Sequence, residues 1–494
     1  MPASEPHPVE HNKWAVLGLL GVAQLMVVLD ATIVNIALPS AQNDLGFSTD
    51  SRQWVVTAYA LAFGSLLLVG GKLGDLFGRK WTFVGGLIGF SVASVLGGLA
   101  PSFEVLVLAR ALQGVFGALL APSALGLLTI TFADSPDRPK AFGIFAAVAT
   151  AGASVGLILG GALTDALDWR WCFYVNLVIA IPAALLAVRL IANDAHPQRP
   201  RIDWLGAALA CSGLFLIVFG FSEAERNSWE ATTTIASLVA GVFLLVGFVT
   251  WQRRFATPLL PLHIVWHRSR GGAYLSIVIA ASAMFAVFLF LTFFMQQNLD
   301  YSPLKTGVGF LPMTAVIFVM APTIQTRLLP RFGVKPLVMT GMTLGLLSML
   351  LFFSRLEPDS TYAGTLLPGL VMIGFGMPCV FAPSFATATL GVDRYDAGVA
   401  SAMVNTSQQV GGAVGTAILS TIFTHAASDY AATHDRTASL AADAAVHGYT
   451  ASFTFAAVLF GIGLVLATIV LPRRIAPAGA PQTPPSPAVA GEPA

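Results

Sequence analysis

A single carboxylate, Asp30, stands near the middle of an otherwise uncharged apolar run between Trp14 and Leu38. A stretch of that length reads as a membrane-spanning helix, which takes ~20 residues. A carboxylate there costs roughly 2.5–3.5 kcal/mol on insertion scales, so such a residue usually faces a cavity or a partner and carries an ion or a proton. The competing reading is a role in helix packing or a local hydrogen bond. A second embedded charge, Arg110, lies several residues inside the run EVLVLARALQGVFGALLAPSALGLLTITF. A cation at that depth needs a carboxylate, a cluster of carbonyls or a wet cavity; otherwise it must snorkel outward and brace a loop. Burial alone raises a carboxyl pKa, and a neighbouring guanidinium lowers it. A site in which those two effects change as a cavity opens and closes would load and release a proton. Gln113 follows one turn after Arg110, and Gly114 and Gly117 allow close helix contact.

Such residues need a framework of helices. The chain has 494 residues, 56% of them hydrophobic and only 10% charged, against about 25% charged in soluble domains. Its mean hydropathy is +0.76. The fold class is an all-α polytopic membrane protein in contact with the lipid bilayer. A net charge of +1 gives no argument for nucleic acid. Cys172, Cys211 and Cys379 are too few and scattered for a disulfide framework and lack metal-ligand spacing. The polar opening residues lack a basic region, so the first helix reads as an uncleaved start of the membrane domain.

Fourteen spans are expected: 14–38, 53–71, 81–100, 103–131, 141–164, 171–192, 203–222, 232–251, 271–297, 303–328, 336–354, 361–385, 397–424 and 448–471. Lys and Arg concentrate in cytoplasmic loops. On this count nineteen of the 26 fall on one side and six on the other, with Arg110 inside a helix. Both termini are therefore expected in the cytoplasm. The loops DLFGRK (Asp75–Lys80) and PRFGVK (Pro330–Lys335) share F-G-x-K at the same point of a six-helix unit, and internal repeats mark secondary transporters. The organisation that follows is a tail at 1–13, a six-helix bundle at 14–192, two inserted helices at 203–251, a cytoplasmic interfacial segment at 252–270, a second bundle at 271–471 and a disordered Pro-rich tail at 472–494.

Gly71, Gly74, Asp75, Gly78 and Arg79 form a loop dense in glycine and charge. Asp75 is placed to meet a helix N-terminus across the interface between the halves, where a negative charge gains roughly 0.3–1 kcal/mol; such a contact suits gating. Helix 5 carries Gly152, Gly156 and Gly160 at four-residue intervals, one smooth stripe for close packing. The same stretch reads G-A-S-V-G, but a nucleophile elbow needs a strand-turn-helix setting, and Ser154 lies in an apolar helix. No zinc-protease, Walker A or paired-Cys motif is present, so the chain reads as neither an enzyme nor an ATP-driven pump. His425, His434 and His447 match no metal site. Candidates for lining a substrate cavity are Asn35, Trp54, Tyr59 and Gln113 in the first half. In the second they are Phe285, Phe288, Gln296, Gln297, Met313, Asn405, Gln408 and Gln409. A large apolar cavity with a few amides suits bulky hydrophobic solutes.

Taken together, these stretches resemble the major facilitator superfamily, and within it the fourteen-helix drug:proton antiporters of the EmrB/QacA type. The resemblance rests on LDATIVNIALP (Leu29–Pro39), QWVVTAYALAFGSLLLVGGKLGDLFGRK (Gln53–Lys80), LARALQGVFGALLAP (Leu108–Pro122), WRWCFYVNL (Trp169–Leu177) and YSPLKTGVGFLP (Tyr301–Pro312). It implies two rocking bundles and a monomer in the inner membrane with no cofactor. It also implies proton coupling through Asp30 and Arg110, and export of hydrophobic or cationic compounds. The family's helix 5 motif has Gly-Pro where this chain has Gly156-Leu157, which keeps open a proton symporter that imports a small solute. Also open are a dedicated exporter of one self-made metabolite and a membrane enzyme or lipid-handling protein.

Overall fold

The computed structural model describes residues 13–47, 49–133, 135–192, 203–226, 228–255, 257–393, 396–435 and 440–472. The side chains of Asn35, Ser154 and Phe285, and nearly all of both expected tails, lie outside the described residues. The first half comprises α1 (Lys13–Leu45), α2 (Thr49–Phe77), α3 (Arg79–Gly98), α4 (Phe103–Thr131), α5 (Arg138–Ala166) and α6 (Trp171–Leu190). An inserted hairpin follows, α7 (Trp204–Arg226) and α8 (Thr232–Gln252), then the short α9 (Leu262–Trp266). The second half comprises α10 (Arg268–Gln297), α11 (Pro303–Gly309), α12 (Leu311–Thr323), α13 (Leu329–Phe332), α14 (Val334–Leu351), α15 (Leu367–Ala388), α16 (Ala397–Thr433) and α17 (Leu440–Val470).

Among the described residues, 13 helical stretches are long and apolar enough to cross a bilayer. The remaining expected span corresponds to α5, 29 residues long and packed along α1. Within the bilayer only helices and closed barrels satisfy every backbone group internally. The second half departs from plain α-helix where Pro322 is followed by a π-helical turn, Ile324–Leu328, as expected where proline removes a backbone donor.

Several boundaries differ from the sequence expectation. The Gly70–Lys80 stretch is not a loop: α2 runs on to Phe77, and only Gly78 breaks it, at φ 97°. The external loop expected between His425 and His447 is largely helix, because α16 extends to Thr433 and α17 starts at Leu440. Segment 252–270, expected to be interfacial, packs against protein. Leu259, Leu260 and Ile264 are buried, the first two in one cluster with Leu68 of α2 and Val399 and Ala402 of α16.

The F-G-x-K repeat has a structural counterpart. Gly78 and Gly333 both take positive φ (97° and 79°) and each starts a helix. Lys80 Nζ donates to the Val188 carbonyl of α6 at 2.8 Å, and Lys335 Nζ donates to the Thr468 carbonyl of α17. Each lysine thus caps the last turn of the sixth helix of its own unit, where carbonyls lack intrahelical partners.

The stripe on α5 sets how close α1 can come. A Cβ on Gly152 would meet Val28 at 3.0 Å, one on Gly160 would meet Ile33 at 2.9 Å, and one on Gly156 would overlap Thr32. These contacts bracket Asp30 on the back of α1. Leu157, in place of the family's proline, leaves α5 continuous there and is itself buried. Forcing extra volume into such a contact costs about 1–3 kcal/mol. Gly156→Leu is expected to lower the melting temperature of the detergent-purified protein, read by intrinsic fluorescence. Gly21→Ala, where a Cβ meets nothing within 4 Å, is expected to leave it unchanged.

Candidate functional site

Asp30 and Arg110 meet. Arg110 Nη1 donates to Asp30 Oδ2 at 2.6 Å, and both side chains are sealed, Asp30 at 0% and Arg110 at 1% exposure. An ion pair out of water is tolerated only when its remaining lone pairs and protons are also satisfied, and here most are. Arg110 Nη1 also donates to Gln113 Oε1 (2.8 Å), and Arg110 Nε to the Val55 carbonyl (3.1 Å). Gln113 Nε2 donates to Asp30 Oδ1 (2.8 Å) and to Ser94 Oγ (2.7 Å). Asn176 Nδ2 donates to Asp30 Oδ1 (2.8 Å) and to Ser94 Oγ (3.2 Å). Ser94 Oγ donates in turn to the Phe90 carbonyl at 2.9 Å. The Tyr59 ring covers the guanidinium with its centroid 4.4 Å away, a cation–π contact. Gly114 lets α4 approach this part of α2: a Cβ there would stand 2.6 Å from the Tyr59 carbonyl.

Six side chains on α1, α2, α3, α4 and α6 thus form one buried polar cluster inside the first half. Sequence reasoning found four of them: Asp30, Arg110, Gln113 and Tyr59. It missed Ser94 and Asn176. Asn176 carried a usable signal, an amide inside the apolar run of α6 that burial obliges to find partners. Ser94 carried none, since serines are common at membrane helix contacts.

The other candidates are dispersed. Trp54 is half-buried on α2. Phe288 packs on Phe310, ring centroids 5.2 Å apart. Gln297 Oε1 accepts from Tyr449 at 3.0 Å. Met313 is fully buried within the second half. Asn405 donates to the Ser401 carbonyl of its own helix. Gln296, Gln408 and Gln409 are half-buried. Among the described residues, no hydrogen bond joins any second-half candidate to Asp30. Two buried acids went unnoticed: Asp203, at 3% exposure just before α7, and Glu223, at 7% where α7 runs past its expected end.

At the basic end of the molecule, Asp75 accepts a hydrogen bond from Arg79 and another from the Gly398 backbone N–H at 3.1 Å. Gly398 lies in the first turn of α16, so the carboxylate sits on a helix N-terminus of the opposite half, where the macrodipole favours it. The backbones nearly touch: a Cβ on Gly71 would stand 2.6 Å from the Gly398 carbonyl. Gly74 faces Ser123 of α4, at 3.3 Å from its own absent Cβ. Just outside α16, burial raises the Asp396 carboxyl above the ordinary carboxylate range, against the pull of Lys72 and then His263. On the other flank, Arg138 reaches Thr389, just past the end of α15, at 3.4 Å, and Gly143 packs on Ala321 and Pro322. In this conformer the two halves are joined at the basic end.

A polytopic helical fold with a sealed acid–guanidinium pair in one half and a glycine-lined seam between halves has the architecture of a secondary transporter. The sequence matches the Major Facilitator Superfamily over residues 20–416, and the chain belongs to that family. Among relatives, it is 47% identical over 466 residues to the puromycin resistance protein pur8 of Streptomyces alboniger, covering 94% of this chain and 92% of that one. It is 38% identical over 472 residues to the cephamycin export protein CmcT of Amycolatopsis lactamdurans, covering 95% and 93%. It is 35% identical over 435 residues to the tetracenomycin C resistance and export protein of Streptomyces glaucescens, covering 86% and 80%. The crystal structure of the human organic anion transporter MFSD10 (TETRAN) superposes with a TM-score of 0.62 at 16% identity, over 94% of this chain and 100% of that one. That likeness speaks to the fold alone.

The seam generates a direct test. Gly71→Val places a side chain where even a Cβ is too close. Spin labels on the basic ends of α2 and α16 are expected to report a wider separation than in the unsubstituted protein. The same labels in Gly85→Val, where nothing lies within 4 Å, are expected to report no change.

Proposed function

We propose that the chain is a proton-coupled secondary exporter, an antiporter of hydrophobic or amphiphilic small molecules such as drugs or antibiotics, working by alternating access. The observation that carries this reading is the Asp30–Arg110 pair, fully buried and fully inside one half. A titratable acid in such a place is expensive and is kept for ion or proton traffic. The cargo class rests on the relatives, whose names refer to puromycin, cephamycin and tetracenomycin C.

In this reading residues 14–192 and 271–471 rock as two bundles, with the pair at 203–251 alongside them. Cargo enters from the cytoplasm or inner leaflet while Asp30 is ionised and paired with Arg110. After outward opening, a proton from outside neutralises Asp30 and cargo leaves. The protonated carrier returns and Asp30 releases its proton inward. Tyr59 and Trp54 line the first-half wall of the cavity. Gln296, Gln297, Gln408 and Gln409 supply polar contacts from the second half, and Asn35 and Phe285 complete the set. The closed seam of Gly71, Asp75 and Gly398 is the inner gate. In this reading that end and both termini face the cytoplasm, the side that basic loops favour, and the membrane is the inner one. The carrier works as a monomer, needs no cofactor and draws its energy from the proton gradient.

Asparagine at position 30 has the shape of the protonated acid and keeps a carbonyl for the neighbouring donors, so Asp30→Asn is expected to reach the membrane at normal levels. In inside-out vesicles with an acidic lumen, its gradient-driven accumulation of puromycin or ethidium is expected to fall to background. Accumulation at the level of the unsubstituted protein would refute the assignment. A second reading, a dedicated exporter of one compound, is favoured by the relatives' names, each tied to a single antibiotic. Competition by unrelated dyes separates the two, because a dedicated carrier ignores them.

A further inference from the structure

Tyr59, whose hydroxyl has no hydrogen-bond partner among the described residues, and Asn176 are the two side chains on which the buried cluster does not close. Of the two, only Asn176 bonds Asp30. Its Nδ2 has two acceptors, Asp30 Oδ1 and Ser94 Oγ. Its Oδ1 is buried and has no donor among the described residues. A buried carbonyl without a donor is costly and calls for an explanation. Every hydrogen-bonding partner that the cluster gives Asp30 is a donor: Arg110, Gln113 and Asn176. That set suits an ionised carboxylate. A protonated Asp30 becomes a donor itself and then needs an acceptor.

Of the three partners, the guanidinium has no acceptor atom. Gln113 has one, but Oε1 already takes a hydrogen bond from Arg110 at 2.8 Å. Asn176 Oδ1 is the acceptor left over. Rotation of the amide about Cβ–Cγ exchanges what it offers Asp30, from N–H to C=O, with Ser94 Oγ still beside it.

We propose that Asn176 is a positioning residue that follows the protonation of Asp30, donating to the carboxylate and accepting from the acid, so that both states are held inside the same sealed cluster. This rests on the proton coupling proposed above. The titratable groups facing Asp30 from the packed helices are Arg110 on α4, Tyr59 on α2 and Cys172 on α6. At that level α5 presents its glycine stripe, and α3 presents Ser94, which does not titrate. Arg110 has no acceptor atom, and the Tyr59 hydroxyl, though unpartnered among the described residues, makes no hydrogen bond to Asp30 while its ring covers the guanidinium.

The test needs no knowledge of the cargo. Infrared difference spectra of the purified protein are recorded across a pH titration. The carboxylic acid C=O band of Asp30 is identified by its loss in Asp30→Asn. In Asn176→Leu the band is expected at higher frequency, because the acid proton has lost its acceptor. Its midpoint is expected to move upward by roughly one pH unit, because a bond to an ionised group is worth more than one to a neutral group. Asn176→Ser, whose hydroxyl both donates and accepts, is expected to move both readouts back toward the unsubstituted values. It also serves where the leucine variant fails to fold. An Asn176→Ser band displaced further than that of Asn176→Leu, or a folded Asn176→Leu with frequency and midpoint unchanged, overturns the proposal. A spectrum in which no titrating band is lost in Asp30→Asn removes the coupling reading itself, a separate failure.

Discussion

An ion pair in oil has no water to fall back on, and the first half is arranged around that constraint. Separating Asp30 from Arg110 would strand two charges, so the neighbours must hold the pair and satisfy it at once. Gln113 does so from the same helix as Arg110, one turn away. Ser94 and Asn176 complete the shell from α3 and α6. Tyr59 closes it from α2 through its ring. The glycines of α5 act one layer further back, bringing α1 near enough for Asp30 to reach this shell. Glycine content, amide placement and helix order in this half all answer to the same pair.

The second half repeats the framework without the charge. The F-G-x-K turn recurs, its glycine takes the same class of backbone conformation, and its lysine caps the equivalent helix. Where the first half has Asp75, the second has Pro330, and where it has Arg79, the second has Val334. The joint between halves is correspondingly unequal. One flank is held by a carboxylate on a helix N-terminus. The other rests on Gly143 against a proline-bearing helix that passes into a π-turn. Equal scaffolds thus carry unequal interactions, one electrostatic and one largely steric.

Much of this was legible in the sequence because charge in an apolar run is conspicuous. Asp30 and Arg110 announced themselves by cost alone, and Gln113 by its turn spacing from Arg110. The Asp75 contact with the facing helix N-terminus followed from glycine and charge density beside an expected interface. What stayed hidden was whatever depends on three-dimensional register. Ser94 looks like any small residue in a membrane helix. Asn176 sits in an apolar run whose facing direction a single sequence does not reveal. Helix ends were misjudged where polar residues continue a helix against protein rather than water. Gly70–Phe77 stays helical because α4 and α16 press on it from two sides, and that pressure also holds the charged Lys72 and Asp75 inside. Of the second-half residues chosen by type, several proved to be core or self-satisfied, as Met313 and Asn405 show.

The inserted hairpin lies against only one of the two joints. α7 packs on both α2 and α16, with Ser222 beside Thr57, and the connection to α8 sets Trp229 on Thr421 of α16. Among the described residues, α5 packs directly on α12 and the short α11, with no hairpin laid across that contact. The approximate twofold relation of the two units is therefore lost at the perimeter: one joint carries a helical hairpin across it and the other does not.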